Sequence, residues 1–246
     1  MGDNGYYYPD FRSHCIWIVN AVSKKTRVIS VYAVVSTNAE RKDFDEMNLL
    51  TMLGIPCNYD VIYRPFMISI LYVIGVLYDR EEDILYSIEW ADSCYIWDMR
   101  NELARKLLDS PAQYLFMFDV DMAFPPDTVY AAIEAAKRGA KIIGLPYKNK
   151  TGEKFHIYRN VDEYKYKPIL AFPTDFMEVD AVGTGLIMIH REVFEKMPPP
   201  WFEGFMREES GVIHSEDMVF CKKARELGYK IITRFPTDLV RHLKVQ

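Results

Sequence analysis

The chain has 246 residues, half of them apolar and 14% aromatic, which suits one substantial packed domain and is unlike a disordered chain. Its net charge of -5 argues against nucleic acid as a partner, because a phosphate backbone demands a surplus of Lys and Arg. A negative balance still allows an anionic small molecule, since one bound cation reverses the local sign. Cys15, Cys57, Cys94 and Cys221 lie far apart with no CxxC pair, so they read as buried or free thiols of a reducing, cytoplasmic compartment. His14 beside Cys15 has no further ligands nearby to complete a metal site.

Residues 1–25 read as a tail, polar and Tyr-rich at its start, without the basic start, apolar core and cleavage site of a signal peptide. Arg27–Val35 is rich in β-branched residues and predicts a buried first strand. Arg41–Leu53 predicts a short helix closed by Gly54 and Pro56. The most apolar stretch, Phe66–Tyr78, is shorter than the roughly 20 residues that cross a bilayer. It predicts a pair of buried strands, or a strand and turn hinged at Gly75.

From Met99 the pattern sharpens. Asn101–Leu108 predicts a helix stopped by Ser110-Pro111, and the continuous apolar run Tyr114–Phe118 predicts a strand covered on both faces. Pro125-Pro126-Asp127 opens a helix that ends at Gly139, and Lys141–Leu145 predicts another buried strand. Strand, helix, strand in that order implies parallel pairing in a Rossmann-like sheet, whose ligands gather at the carboxyl ends of the strands. Thr151–Asp175 reads as a long loop over that edge, and Glu178–Val182 and Leu186–Ile189 as strands around Gly183-Thr184-Gly185. Glu203–Gly211 reads as polar and mobile. A last helix is predicted from Glu216 to Leu227, with Phe220, Ala224 and Leu227 on one face, before a short strand at Lys230–Thr233.

Chemistry concentrates at the end of the strand Tyr114–Phe118. Asp119 and Asp121 are two apart, so in extended chain both carboxylates can face one ligand. Hard oxygens of this kind suit Mg²⁺ or Mn²⁺, which commonly bridges protein carboxylates to substrate phosphates. The second Asp-x-Asp, Asp43-Phe44-Asp45, lies in a polar helical pattern and reads as a solvated face. Ser215-Glu216-Asp217 reads two ways. Ser is a good N-cap and acids favour a first helical turn, but Asp217 or Glu216 could also take a proton from an attacking hydroxyl. His242 could complete a metal site with carboxylates, and the Gly183–Gly185 turn is either a tight turn or a place of close backbone approach. His190 reads as a packed or surface residue.

The ordered set RNELAR (Arg100–Arg105), FDVDM (Phe118–Met122), VGTGLIMIHREVF (Val182–Phe194), SEDMVFC (Ser215–Cys221) and RHL (Arg241–Leu243) resembles GT-A-fold glycosyltransferases, in particular small stand-alone enzymes of phages and archaeal viruses. The similarity spans about Met99 to Leu243. It implies an α/β fold with a mostly parallel central sheet flanked by helices and a smaller mixed sheet on the acceptor side. Residues 26–246 would form one domain, with a nucleotide-sugar half at 26–150 and an acceptor half at 151–246. The implied activity is metal-dependent transfer from a nucleoside-diphosphate-sugar to an acceptor hydroxyl, with inversion. The acceptor is a glycan, protein or lipid that the sequence does not specify, and the setting, if viral, is host cytoplasm.

The resemblance also implies roles. Asp119, Asp121 and His242 would hold Mn²⁺ or Mg²⁺, with Asp119 facing the ribose as well. Arg100 would lie near the donor nucleotide, Gly183 and Gly185 would floor the sugar subsite, Asp217 would be the general base, and Glu216 would orient the acceptor. Asp60 is the one candidate for holding the base. Two rivals stand beside this reading: an inactive nucleotide- or glycan-binding protein of the same fold, and a haloacid-dehalogenase-like phosphatase with Asp119 as nucleophile.

Overall fold

The computed structural model describes residues 16–22, 29–35, 49–57, 62–79, 83–162, 165–170, 175–207, 212–234 and 240–243. It begins with a hairpin in which β1 (Ile16–Val22) pairs antiparallel with β2 (Ile29–Val35). Part of the stretch read as a tail is therefore strand, and β2 joins this hairpin instead of opening the central sheet.

Next comes β3 (Leu49–Pro56), where the residue pattern predicts the end of a helix. Residues 51–56 are all buried, so the strand carries no polar face to give it alternation. Gly54 is not a helix stop. A Cβ there would lie 2.8 Å from Leu115 Cδ1 and 3.2 Å from Leu103 Cδ1, so the glycine lets two neighbouring elements close onto the strand.

A helix, α1 (Arg64–Asp79), replaces the strand pair expected over Phe66–Tyr78. Phe66, Ile70 and Val73 point inward at helical spacing, while the apolar Met67, Ile68, Leu71 and Tyr72 are exposed.

The chain continues through β4 (Asp83–Ala91), α2 (Ile96–Leu108), β5 (Tyr114–Phe118), β6 (Met122–Ala123), α3 (Pro126–Lys137) and β7 (Ile142–Gly144). From α2 onward this is the predicted order, with the short strand β6 added between β5 and α3. Pro126 opens α3, and Gly139 at φ 88° lies just beyond its end.

The second half holds β8 (Ile157–Asp162) and β9 (Lys165–Pro168), a hairpin where the sequence predicts a loop. There follow β10 (Met177–Val179), β11 (Ala181–Val182), β12 (Leu186–His190), α4 (Arg191–Lys196), β13 (Phe205–Arg207) and β14 (Val212–His214). β13 pairs with β14, so part of the stretch read as mobile is ordered strand. The chain closes through α5 (Glu216–Glu226), β15 (Ile231–Thr233) and β16 (Arg241–His242). Phe220 and Ala224 of α5 are fully buried as expected, but Leu227 sits past the helix end and is 46% exposed.

Seven strands form the central sheet in the order β10-β15-β7-β12-β5-β3-β4. β4, β3 and β5 are parallel neighbours, as are β7 and β15, while β12 and β10 run the other way. Three of the six contacts are therefore antiparallel, and the sheet is mixed rather than mostly parallel. β5 and β7 share a direction, as the strand–helix–strand order requires, but β12 lies between them. Its run LIMIH is buried on both faces and satisfies the central position.

Alternate residues divide the core into two layers. Tyr114, Phe116 and Phe118 of β5 pack with Phe66 and Ile70 of α1 and with Val129 and Ile133 of α3. Leu115 and Met117 pack on the opposite face with Leu103 and Leu107 of α2, Phe194 of α4 and Phe220 of α5. Among the described residues four small sheets, β1-β2, β11-β8-β9, β13-β14 and β16-β6, lie outside the central one. Among the described residues no helix is long and apolar enough to cross a membrane.

Candidate functional site

β5 and β7 run in the same direction, so their carboxyl ends reach one edge of the sheet. β12 runs against them, so the residues before it, Gly183-Thr184-Gly185, arrive at that same edge. The Asp119 N–H donates to the Gly185 carbonyl at 2.9 Å, which fixes the first aspartate against the glycine turn. Neither glycine has a positive φ. Space is what they supply. A Cβ on Gly185 would lie 2.8 Å from the Tyr147 hydroxyl and 3.0 Å from Asp119 Oδ2, and one on Gly183 would lie 2.9 Å from His156 Cβ.

Asp119 faces Arg100. The guanidinium is 2% exposed and donates through Nη2 to both carboxylate oxygens of Asp119, at 2.8 and 3.1 Å. Its Nη1 donates to Glu216 Oε1. Arg100 comes from the second turn of α2 and Glu216 from the first turn of α5, so one buried cation ties together two acids that are far apart in the chain. Burial works against the charged guanidinium, but Asp119, Glu216 and Asp217 outweigh it and hold its pKa above the usual value. Burial pushes the Asp119 carboxyl up, Arg100 opposes that, and the nearby charge of Asp121 adds to the rise. The next helix residue of the sequence motif, Asn101, has a structural task. Its Oδ1 accepts the N–H groups of Trp201 and Phe202 at 3.0 Å each, and its Nδ2 donates to the Phe202 carbonyl at 2.7 Å.

Asp121 turns to a different partner. β16 pairs antiparallel with β6, with His242 opposite Met122, and the Leu243 N–H donates to the Asp121 carbonyl at 2.6 Å. This ribbon puts His242 Nε2 at 2.9 Å from Asp121 Oδ2. Lys150 Nζ lies 3.2 Å from the same oxygen. Burial would raise the Asp121 pKa, but the hydrogen bonds and charges of His242 and Lys150 win and lower it. His242 Nδ1 is buried and has no hydrogen-bond partner.

A carboxylate oxygen and an imidazole nitrogen converging on one point form a donor pair that fits a hard divalent ion, with remaining positions left to phosphate oxygens and water. The ammonium of Lys150 beside them marks a position that favours positive charge. Asp119 is not joined to this pair, because both its oxygens are engaged by Arg100. Among the described residues no three His, Cys, Asp or Glu side chains are grouped so as to hold a metal ion.

Asp217 stands in the first turn of α5, after Ser215. Ser215 occupies the N-cap position without capping the backbone. Its hydroxyl donates to Asp217 Oδ1, and the Met218 N–H donates to the same oxygen at 2.9 Å. The charge of Asp217 reaches Arg100, Tyr147 and Tyr158, which places it on the same side of the molecule as the Arg100 cluster.

Three residues not singled out in the sequence belong to this edge. Tyr147 is buried, accepts the Gly185 N–H on its hydroxyl at 3.1 Å, and has its ring edge-on to His242 at 5.8 Å. Burial, then Asp119 and Asp217, raise its pKa well above the usual value. His156 stacks obliquely beside Tyr147 at 4.9 Å, and burial lowers its pKa. Lys150 is the third. The signal available was position: Tyr147 follows β7 as Asp119 follows β5, at the carboxyl ends where ligands gather. Asp43, Asp45, Asp60, His14 and Cys15 lie outside the described residues. Cys94 and Cys221 are free thiols, and His190 caps α4.

No protein-family profile and no curated protein matches the chain. Among solved structures it is similar to the crystal structure of A197 from STIV, with a TM-score of 0.50 and 20% identity over 75% of this chain and 81% of that one. At that identity the likeness is one of fold: a mixed α/β architecture shared over most of both chains.

Proposed function

We propose that the protein is a GT-A-fold glycosyltransferase that moves a sugar from a nucleoside-diphosphate-sugar to an acceptor hydroxyl with inversion, aided by Mn²⁺ or Mg²⁺. The observation that carries the reading is the Asp121–His242 pair at the carboxyl end of β5, joined at 2.9 Å across 121 positions of chain. An ion held by these two residues would supply positive charge to the departing diphosphate.

The chain's own side chains take the remaining tasks. Asp119, oriented by Arg100, would face the donor ribose. Arg100 is too buried to serve as a free phosphate ligand and acts as a positioning residue for Asp119 and Glu216. Gly183 and Gly185 would keep the sugar subsite open. Glu216 would orient the acceptor. Asp217 would take the acceptor proton as the hydroxyl oxygen bonds to the anomeric carbon and the bond from that carbon to the diphosphate oxygen breaks. The Ser215 hydroxyl and the Met218 N–H both donate to its Oδ1, which fixes the carboxylate in position for that transfer.

Two substitutions separate binding from chemistry. Asp121→Asn should weaken Mn²⁺-dependent binding of nucleoside diphosphates by about two orders of magnitude, measured by calorimetry across a donor panel. Asp217→Asn should bind as before and slow transfer by about 10²- to 10⁴-fold. Full activity in Asp217→Asn would remove it as the base. Donor binding with no transfer or hydrolysis in the unaltered protein would favour the inactive binding protein, a reading that the pairing of Asp119 with Arg100 supports.

A further inference from the structure

Lys150 is held at the Asp121–His242 pair by a loop built for the purpose. Asn149 Oδ1 accepts the Thr151 hydroxyl at 3.0 Å and the N–H groups of Glu153 and Lys154 at 3.0 and 3.3 Å. The Asn149 N–H donates to the Lys154 carbonyl and the Gly152 N–H to the Asn149 carbonyl, both at 2.8 Å, with Gly152 at φ 79° closing the turn. On one flank Lys148 bridges Phe155, and Tyr147 bridges Val240 of the segment that carries His242. The backbone of this loop is therefore braced while the Lys150 side chain is 57% exposed and free to swing.

The charge count at the pair needs such a residue. Asp121 is 19% exposed, its charge reaches Asp119, and among the described residues His242 and Lys150 touch its carboxylate. With no ion bound, the Lys150 ammonium is a positive charge that offsets it. An arriving divalent cation and an ammonium cannot share one carboxylate oxygen, because like charges within a few ångströms repel strongly in a partly buried site. A diphosphate arriving with the cation brings new oxygens of the opposite sign.

We propose that Lys150 is an exchanging counter-cation: it occupies the ion's place at Asp121 until the ion and a diphosphate arrive, then moves to the diphosphate oxygens. The idea rests on the reading of Asp121 and His242 as ion ligands. It predicts opposite signs for two affinities. Removing the ammonium takes away a competitor of the bare ion and a partner of the phosphate.

The test uses the full chain, Mn²⁺ followed by electron paramagnetic resonance, and inorganic pyrophosphate as the probe shared by all nucleoside diphosphates. Lys150→Met should bind Mn²⁺ alone about three- to tenfold more tightly than the unaltered protein. At saturating Mn²⁺ it should bind pyrophosphate about tenfold more weakly. Lys150→Arg should behave like the unaltered protein in both. Lys148→Met, which removes an ammonium lying 5.4 Å over the Phe155 ring, should change neither. Equal Mn²⁺ affinities in Lys150→Met and the unaltered protein overturn the proposal and leave the ion-pair reading standing. A tighter ion with unchanged pyrophosphate overturns the second half of the exchange. If the unaltered protein and Lys150→Met both fail to take up Mn²⁺, the proposal falls together with the reading beneath it.

Discussion

Arg100 sits almost fully out of water between Asp119 and Glu216, and two of its three nitrogens are spent on carboxylates. Removing one member of such a cluster leaves the others as buried charges without compensation. Arg100→Met should therefore destabilise the fold by about 3–5 kcal/mol, read from urea unfolding. Arg100→Lys should recover only part of that, since a single ammonium cannot fill both the Nη2 position at Asp119 and the Nη1 position at Glu216. The same residue shows how far the sequence could be read at this scale. An arginine beside an asparagine in a helix, and acids at a strand end and a helix start, are visible as candidates. Their pairing is not. Arg100 and Glu216 are 116 positions apart, and only the packing of α2 against the rest decides that the guanidinium turns inward.

At the scale of elements, α2 is held at its carboxyl end by a side chain from α4. Arg191 donates to the carbonyls of Leu107, Leu108, Ser110 and Ala112, the first at 2.7 Å and the second and last at 3.1 Å. These include carbonyls a helix leaves without partners at its end, and a cation there also suits the helix dipole. Arg191→Ala should cost about 2 kcal/mol of stability, seen as a lower urea midpoint with an unchanged slope.

One residue earlier, His190 accepts the Glu192 N–H on Nδ1 at 3.1 Å and so caps α4 in its neutral form. Burial and the neighbouring Lys141 lower its pKa to about 4, against the opposing pull of Glu192 and Glu195 and with Arg191 adding to the fall. The folded state thus resists a proton that the unfolded chain accepts. Its contribution is complete above about pH 6.5 and is lost as the pH falls toward about 4. His190→Asn keeps an acceptor that does not titrate. It should flatten the stability profile across that window in thermal melts.

The elements that were legible were those with punctuation. α3 has proline at its start and glycine past its end, and β5 is bounded by turn residues and acids. α1 was misread because apolar residues on its solvent side conceal the period of three to four that Phe66, Ile70 and Val73 obey. β3 was misread because its glycine serves packing against Leu115 and Leu103, which looks in the sequence like a helix stop. The apolar run Leu186–Ile189 marks β12 as a strand, but no local signal foretells its place between β5 and β7, which depends on which apolar run fits the gap.

Across the whole molecule, the candidate site is closed by the last described segment, 240–243, which returns to β6 and Tyr147. Val240 is 2% exposed in the core and His242 meets Asp121, so the segment has a packing task and a chemical one. The two can be separated. Deleting residues 240–246 should lower stability by about 2 kcal/mol, a Tm shift of roughly 4–8 °C for a domain of this size. His242→Ala should hold Tm within about 2 °C and lose Mn²⁺ uptake by about ten- to a hundredfold. An unchanged Mn²⁺ affinity in that variant would remove His242 from the ion site.

The ribbon of β6 and β16 also bears on how the protein is handled. A polyhistidine tag fused shortly after His242 would carry spare imidazoles within a short tether of Asp121. Such a tag would act as a surrogate ligand at high effective concentration, masking the His242→Ala defect and inflating apparent manganese affinity. Purification handles belong away from this ribbon, and nickel should be stripped before any metal titration.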